Sequence, residues 1–208
     1  MLTIAIGKGR LQDASLALLA RAGIALSKEA LTSRRLAVED SRRRYRFIFV
    51  KPADVPVYVE HGIADCGIVG RDVLLEANAD LLVPLDLELA RCHLVVAACN
   101  GDALGSRGML RVATKYPRIA ASHFGERGIP VEIIHLSGSV ELAPVLGLSD
   151  CIVDLVESGR TLKENGLQIV EEIVESTAKL VVNRASYQLK SAAVTELIES
   201  LSEAMNKQ

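Results

Sequence analysis

An apolar run, "CIVDLV" (151–156), empties into "ESGRTL" (157–162). A strand that ends in Ser158-Gly159-Arg160-Thr161 and enters a helix turns several main-chain N–H groups toward one point, and such a nest binds anions. Gly159 permits a backbone shape that a Cβ resists and lets an oxyanion approach closely. Ser158 and Thr161 add hydroxyl donors, and Arg160 adds charge. Asp154 and Glu157 would repel a bare phosphate. They suit a sugar phosphate, whose ribose hydroxyls donate to carboxylates while the phosphate rests on the N–H groups. The same spacing is equally compatible with a plain strand–turn–helix connection in which Ser158 is the cap.

Three other stretches carry related chemistry. In "IAIGKGRL" a strand runs into Gly7-Lys8-Gly9-Arg10 and then a helix. The spacing is neither that of a P-loop nor that of a dinucleotide fingerprint. Two glycines and two cations at a strand's carboxyl end still suit a polyphosphate, and a tight turn with solvated cations is the plainer alternative. Lys51 ends "YRFIFVK", where a strand enters the same region. In "HLSGSVELAP", Gly138 and Ser139 precede a helix with Glu141 in its first turn. Glu141 either complements the helix dipole or faces a ligand. The arginine run "SRRLAVEDSRRRYR" holds Arg34, Arg35, Arg42, Arg43, Arg44 and Arg46. It reads as a solvated hairpin or loop, or as a flap whose guanidinium groups grip pyrophosphate in bidentate fashion. Without interleaved aromatics it is no nucleic-acid surface.

The elements that must place these residues alternate strand and helix. "LTIAIG", "YRFIFV" and "DCGIVG" are strands. "RLQDASLALLARAG" carries Leu11, Leu18, Leu19 and Ala22 at helical spacing, with Gly23 as the stop. "KPADVPVYVEHG" reads as a helix capped by Asp54, with Pro56 in its first turn and Gly62 at its end. "RDVLLEAN" follows as another helix. "CHLVVAAC" opens a second series: a Gly-rich loop "NGDALGSRG", strand "RVAT", helix "PRIAASHFGERG", strand "VEIIHL", helix "VELAPVLG", and "CIVDLV". "QIVEEIVES" and "AKLVVN" are strands that return toward the first series. Val194, Leu197, Ile198, Leu201 and Met205 form the stripe of a final amphipathic helix.

These βα units predict mostly parallel sheets with helices on both faces. They fit two α/β lobes, 1–90 plus 178–208 and 91–177, with a ligand cleft at the strands' carboxyl ends. Half of the 208 residues are apolar, and only 3% are aromatic, so the core is aliphatic. A net charge of −2 gives no global attraction for nucleic acid. The N-terminus lacks the order of a signal peptide. No run approaches the roughly 20 apolar residues of a membrane span. Cys66, Cys92, Cys99 and Cys151 are isolated among aliphatic residues and read as reduced core thiols of a cytoplasmic protein. The four histidines show no metal spacing and read as surface or half-buried residues.

Together these pieces resemble the ATP phosphoribosyltransferase family of histidine biosynthesis. "ELAPVLGLSDCIVDLVESGRTL" (141–162) matches the family signature at Glu141, Gly147, Ser149, Ile152, Asp154, Leu155, Ser158, Gly159, Thr161 and Leu162. "GKGRL", "VKPADVPVYVEHGIADCGIVGRD" and "RVATKYP" resemble further family segments, so the likeness spans essentially the whole chain. The resemblance implies the two-lobed type II periplasmic-binding-protein fold and a reaction. Adenine N1 of ATP displaces pyrophosphate from C1 of phosphoribosyl pyrophosphate, with Mg²⁺ carried on the substrates and no protein metal ligands. It places the 5-phosphate on Glu157, Ser158, Gly159, Arg160 and Thr161, and the ribose hydroxyls near Asp154. It places Lys8, Gly9, Arg10 and Lys51 near the polyphosphate groups, with Lys8, Arg10 and Lys51 acting on the departing charge. Gly138, Ser139 and Glu141 fall on the nucleotide side. Relatives often carry Arg at the position of Lys51, which keeps the charge and loses the fork.

The resemblance also implies a short form without the C-terminal regulatory domain that binds histidine in long forms. Short forms work with a partner that resembles histidyl-tRNA synthetase, in a hetero-octamer of four and four, and the isolated chain is expected to be a dimer. A non-enzymatic anion-binding protein of the same fold, or a ligand-sensing lobe of a transcription regulator, are the rival classes. Exported binders carry a signal peptide, and regulators carry a helix-turn-helix before the first strand. Neither accounts for the 141–162 match.

Overall fold

Leu2, Ile4 and Ile6 point to one side of the first strand while Ala5 points to the other, and all four are buried. That two-sided burial is what a central strand of a covered sheet requires. In the computed structural model, which describes residues 1–27, 35–99 and 108–207, this strand, β1 (Leu2–Gly7), lies inside a six-stranded sheet. The chain divides into two units, Met1–Ala90 with Thr177–Gln208, and Arg91–Ser176.

In the first unit, β1 leads to α1 (Arg10–Arg21), followed by β2 (Ala37–Glu39) and β3 (Tyr45–Val50). A single 3₁₀ turn (Pro52–Asp54) then opens α2 (Val55–Glu60), and β4 (Cys66–Gly70), α3 (Arg71–Ala77) and β5 (Leu82–Asp86) follow. The second unit runs β6 (Cys92–Ala98), β7 (Leu110–Thr114), α4 (Pro117–Gly125), β8 (Val131–His135), α5 (Leu142–Val145), β9 (Cys151–Val156), α6 (Arg160–Glu164) and β10 (Gln168–Ser176). The chain then returns to the first unit through β11 (Ala178–Val182), α7 (Arg184–Leu189) and α8 (Ser191–Asn206). Thr177 belongs to the first unit, one residue ahead of the boundary the sequence suggests.

The sheet orders are β2-β3-β1-β4-β11-β5 and β10-β6-β9-β7-β8. Each is parallel at its heart: β3-β1-β4 in one, β9-β7-β8 in the other. The expectation of mostly parallel sheets needs correction at the margins. Among the described residues four pairings are parallel and five antiparallel. β2 joins β3 as a short hairpin, and β6, β10 and β11, the strands next to the two passages between units, run against their neighbours. Helices cover both faces of each sheet. Leu18 and Leu19 of α1 and Val194, Leu197 and Leu201 of α8 pack with Ile4, Ile6 and Phe47 on one face of the first sheet. Val55 and Val59 of α2 pack with Ala5, Val69 and Val181 on the other. In the second sheet Ile119 and Phe124 of α4 cover one face, and Val140, Ala143 and Leu162 cover the other.

One polar cluster holds the C-terminal segment to the first sheet. Asp65 accepts hydrogen bonds from Thr3 N at 2.9 Å, Ser186 Oγ at 2.6 Å and Lys190 Nζ at 2.8 and 2.9 Å. Asn183 caps α7 by accepting from Ser186 N, and its Nδ2 donates to the terminal carbonyls Val59 O and Glu60 O of α2. Asp54 precedes α2 yet makes no side-chain cap, contrary to expectation. The 3₁₀ turn ahead of it already carries the chain into helical geometry.

Cys66, Cys92 and Cys151 are buried, but Cys99 is exposed just beyond β6 and is no core thiol. Burial pushes the Cys66 and Cys151 thiols up to about 12, which leaves them inert. His61 and His135 are exposed, while His93 and His123 are half-buried.

Candidate functional site

Parallel strands present their carboxyl ends along one edge, and loops at that edge are where α/β sheets hold ligands. In the second unit that edge is formed by the ends of β9, β7 and β8. It carries the turn at 157–159, the segment 115–116 and the loop 136–141.

The turn after β9 answers one part of the choice left open by spacing, whether Ser158 is the cap. The position preceding α6 is Gly159, with φ 70° and ψ 2°, and no side chain caps the helix. Ser158 is therefore not the cap, and it is exposed, as are Glu157, Arg160 and Thr161. A Cβ built on Gly159 would meet only Val156 Cγ1, at 3.8 Å, an ordinary contact. Glycine is required here by its left-handed backbone and not by lack of room. With five residues, α6 is too short for a strong macrodipole. What the turn offers an anion is therefore its local N–H groups and hydroxyls, not a helix dipole. The Arg160 guanidinium is drawn along the helix to Glu164, Nε to Oε1 at 2.8 Å, in a pair open to solvent. Such a pair is weak, and a bound anion can compete for it.

Asp154 lies on the face of β9 shared by Ile152 and Val156, and it is half-buried. Burial pushes its carboxyl above the usual range, and Glu141 pushes the same way. The Leu155 backbone and the Lys115 ammonium pull it down, without cancelling the burial. Glu141 is half-buried at the entry to α5, where it makes no side-chain cap. The helix foreseen over 140–147 is a single turn, Leu142–Val145, which offers Glu141 little dipole to complement. Gly138 and Ser139 are exposed in the preceding loop, with Ser139 at φ 50°.

The first unit brings together the other set. β1 and β3 run parallel with Gly7 opposite Val50, and Lys8 N donates to Val50 O at 2.7 Å. Lys8 and Lys51 thus leave adjacent strand ends side by side, both exposed. Gly9 has φ 102° and ψ −152°, a conformation closed to side-chain-bearing residues. It turns the chain directly into α1, where Arg10 is the first residue. Among the arginines, Arg44 pairs with Glu196 at 2.6 Å and lies over the Tyr45 ring, and Arg46 pairs with Glu39 at 3.1 Å. Arg35, Arg42 and Arg43 are exposed. The run is the β2–β3 hairpin with its approach. Arg34 and most of the Gly-rich loop after Cys99 lie outside the described residues.

Two residues of the edge were missed from sequence. Thr114 is fully buried at the end of β7, and Lys115 follows it. The available signal was a threonine closing an aliphatic strand in "RVATKYP", a place where a buried hydroxyl needs a partner. Among the described residues, no three His, Cys, Asp or Glu side chains converge as a metal-holding group. None of the helices described is long and apolar enough to cross a membrane.

Comparison with known proteins bears on this arrangement. The family model for HisG, ATP phosphoribosyltransferase, matches residues 51–203. The chain is 51% identical over 205 residues to the ATP phosphoribosyltransferase of Geobacillus sp. (strain WCH70), covering 99% of each. It is 49% identical over 209 residues to that of Neisseria gonorrhoeae (strain ATCC 700825 / FA 1090), covering 98% of this chain and 95% of the other. Among solved structures, the ATP phosphoribosyl transferase (HisG:HisZ) complex from Thermotoga maritima superposes with a TM-score of 0.89 at 38% identity, with both chains fully covered. The periplasmic aliphatic sulphonate binding protein SsuA of Escherichia coli matches with a TM-score of 0.61 at 14% identity, over 98% of this chain and 72% of that one. That second likeness shows the shared two-sheet periplasmic-binding-protein fold and nothing of activity. The exposed, uncapped glycine turn beside a half-buried aspartate thus sits within a match that spans the molecule: the chain belongs to the HisG family of ATP phosphoribosyltransferases.

Proposed function

We propose how this chain carries out its family's reaction, the pentosyl transfer to ATP that opens histidine biosynthesis. Adenine N1 attacks C1 of phosphoribosyl pyrophosphate, the C1–O bond breaks, and pyrophosphate leaves. The turn at 157–161 holds the donor's 5-phosphate on its N–H groups and on the Ser158 and Thr161 hydroxyls. Asp154 accepts from the ribose hydroxyls. Gly138, Ser139 and Glu141 border the same strand edge and contribute to the nucleotide side. In the first unit Lys8, Arg10 and Lys51, with Gly9 shaping the turn, are assigned to polyphosphate oxygens.

Adenine N1 is already a nucleophile, so no general base is needed. The barrier lies in separating a cation-like ribose from a highly anionic leaving group. Fixed cations stabilise that charge as it develops, and binding both substrates in line supplies the rest. Mg²⁺ is proposed to be held mainly by substrate phosphates, the usual role of this small, strongly hydrated cation beside polyphosphates. When bound, it neutralises charge on the pyrophosphate. A cytoplasmic setting agrees with the buried thiols. The HisG:HisZ complex of Thermotoga maritima supports a separate HisZ-like regulatory subunit, and the assembly proposed for the two is four with four. Alone, the chain is proposed to be a dimer.

The observation that carries the site assignment is the left-handed, uncapped Gly159 at the mouth of β9. Gly159→Val strains the turn locally by about 1–2 kcal/mol, too little to unfold a domain of ordinary stability. Turnover of ATP, phosphoribosyl pyrophosphate and Mg²⁺, followed by the change in adenine ultraviolet absorbance, should fall at least about 10²-fold. Donor binding should be lost, with ATP affinity and circular dichroism retained. Near-normal turnover by this variant would refute the assignment.

A further inference from the structure

Thr114 is a polar residue with 0% exposure in an aliphatic core. Its Oγ1 donates to Val153 O at 2.6 Å and accepts from Tyr116 N at 2.8 Å. Its carbonyl accepts from Leu136 N at 3.0 Å. One residue therefore ties the ends of β7, β9 and β8 together. The bond from Tyr116 N closes a side-chain turn around Lys115, so the lysine backbone is fixed where it leaves the sheet. The register pairs Ala113 with Ile152 and Thr114 with Val153, so the next residue of each strand is Lys115 and Asp154. Ala113 and Ile152 share one face of the sheet, and the same two-residue period returns Asp154 to it. The charged groups acting on Asp154 are Lys115 from the end of β7 and Glu141 from the entry to α5. β6 faces it with Val95, which is apolar.

We propose that Lys115 is a positioning residue for the phosphoribosyl donor: the strand register sets its positive charge next to Asp154, where it favours the carboxylate form that receives the ribose hydroxyls, and Thr114 holds it there. This rests on the donor assignment above. The need for such a cation follows from the site's charges. Asp154 is half-buried and shares its surroundings with a second carboxylate, Glu141, and both circumstances favour its neutral form. A protonated carboxyl is a poorer acceptor for two hydroxyls than a carboxylate. Among the described residues, Lys115 is the opposite charge that acts on Asp154, and it is exposed.

The test follows the Asp154 carboxyl carbon by NMR as pH varies, assigned by comparison with Asp154→Asn, alongside calorimetric binding of phosphoribosyl pyrophosphate over the same pH range. In Lys115→Met the Asp154 titration should move to higher pH. Donor binding on the acid side should weaken on the order of tenfold while converging with the parent at high pH. Lys115→Arg should restore both, and ATP affinity should not change. Thr114→Val, which keeps the shape and removes the hydroxyl, should shift the titration the same way by less. An Asp154 titration unmoved in Lys115→Met, or a loss of donor binding equal at every pH, would overturn the proposal. If the parent protein bound no donor at any pH, the donor assignment itself would fall, while the NMR titration would still report whether Lys115 governs Asp154.

Discussion

With Asp154 assigned to the ribose hydroxyls as proposed, function and stability pull apart at this residue. Its folded-state carboxyl lies above the unfolded value because burial and Glu141 disfavour the charge. Between those two values the folded chain binds more protons than the unfolded one, so stability falls as pH rises through that window. Above that window the fold carries the full cost of an ionised, half-buried carboxylate. Asp154→Asn removes that cost. It should raise the melting temperature at pH 7 by roughly 2–4 °C, the size of about 1 kcal/mol in a chain of this length. The same change should weaken donor binding by about 10–100-fold, since a charged hydrogen-bond acceptor is lost. Thermal melts and donor titration read the two effects separately. A variant that melts lower and binds donor normally would make Asp154 a structural residue. A group that costs stability and is retained is the mark of a working site.

At the scale of elements, Asp65 does the opposite. Burial pushes its carboxyl up, but hydrogen bonds from Lys190, Ser186 and the Thr3 amide outweigh burial and hold it below the ordinary range. Its contribution is complete above the unfolded value and is lost as pH falls through the folded one. Asp65→Asn should cost about 1–3 kcal/mol near neutrality and flatten the acid limb of stability measured by urea unfolding. An acid limb unchanged by the substitution would show that the cluster is not what fastens α7 and α8. This cluster was not legible in sequence, because its members are far apart in the chain and no periodicity marks them. What periodicity did mark was the alternation of buried strands such as β1 and β9 and the stripe of α8. Three elements escaped it. β2 has three residues, α7 has six and is set by the Asn183 cap, and β5 is an edge strand carrying Pro84. The glycine turn at 157–161 was legible because its chemistry is local in sequence. Lys115 was not, because only the strand register brings it beside Asp154.

For the whole molecule the open matter is control. The Thermotoga maritima catalytic chain that this one matches end to end occurs in a complex with HisZ. If control resides in a HisZ-like partner, the free energy that links histidine to catalysis must be transmitted between chains. The partner then has to favour one state of this chain over another, with a coupling of the usual 1–3 kcal/mol, about 5–150-fold. Purified chain alone should therefore turn over ATP and phosphoribosyl pyrophosphate with no such response to histidine, and the response should appear when the partner is added. By reciprocity, histidine must then change the affinity of the partner for this chain or its substrates by the same factor. Initial rates with and without partner test the first half, and partner binding by calorimetry with and without histidine tests the second. Strong inhibition of the isolated chain by histidine would place the regulatory site within these 208 residues and remove the case for a separate sensor.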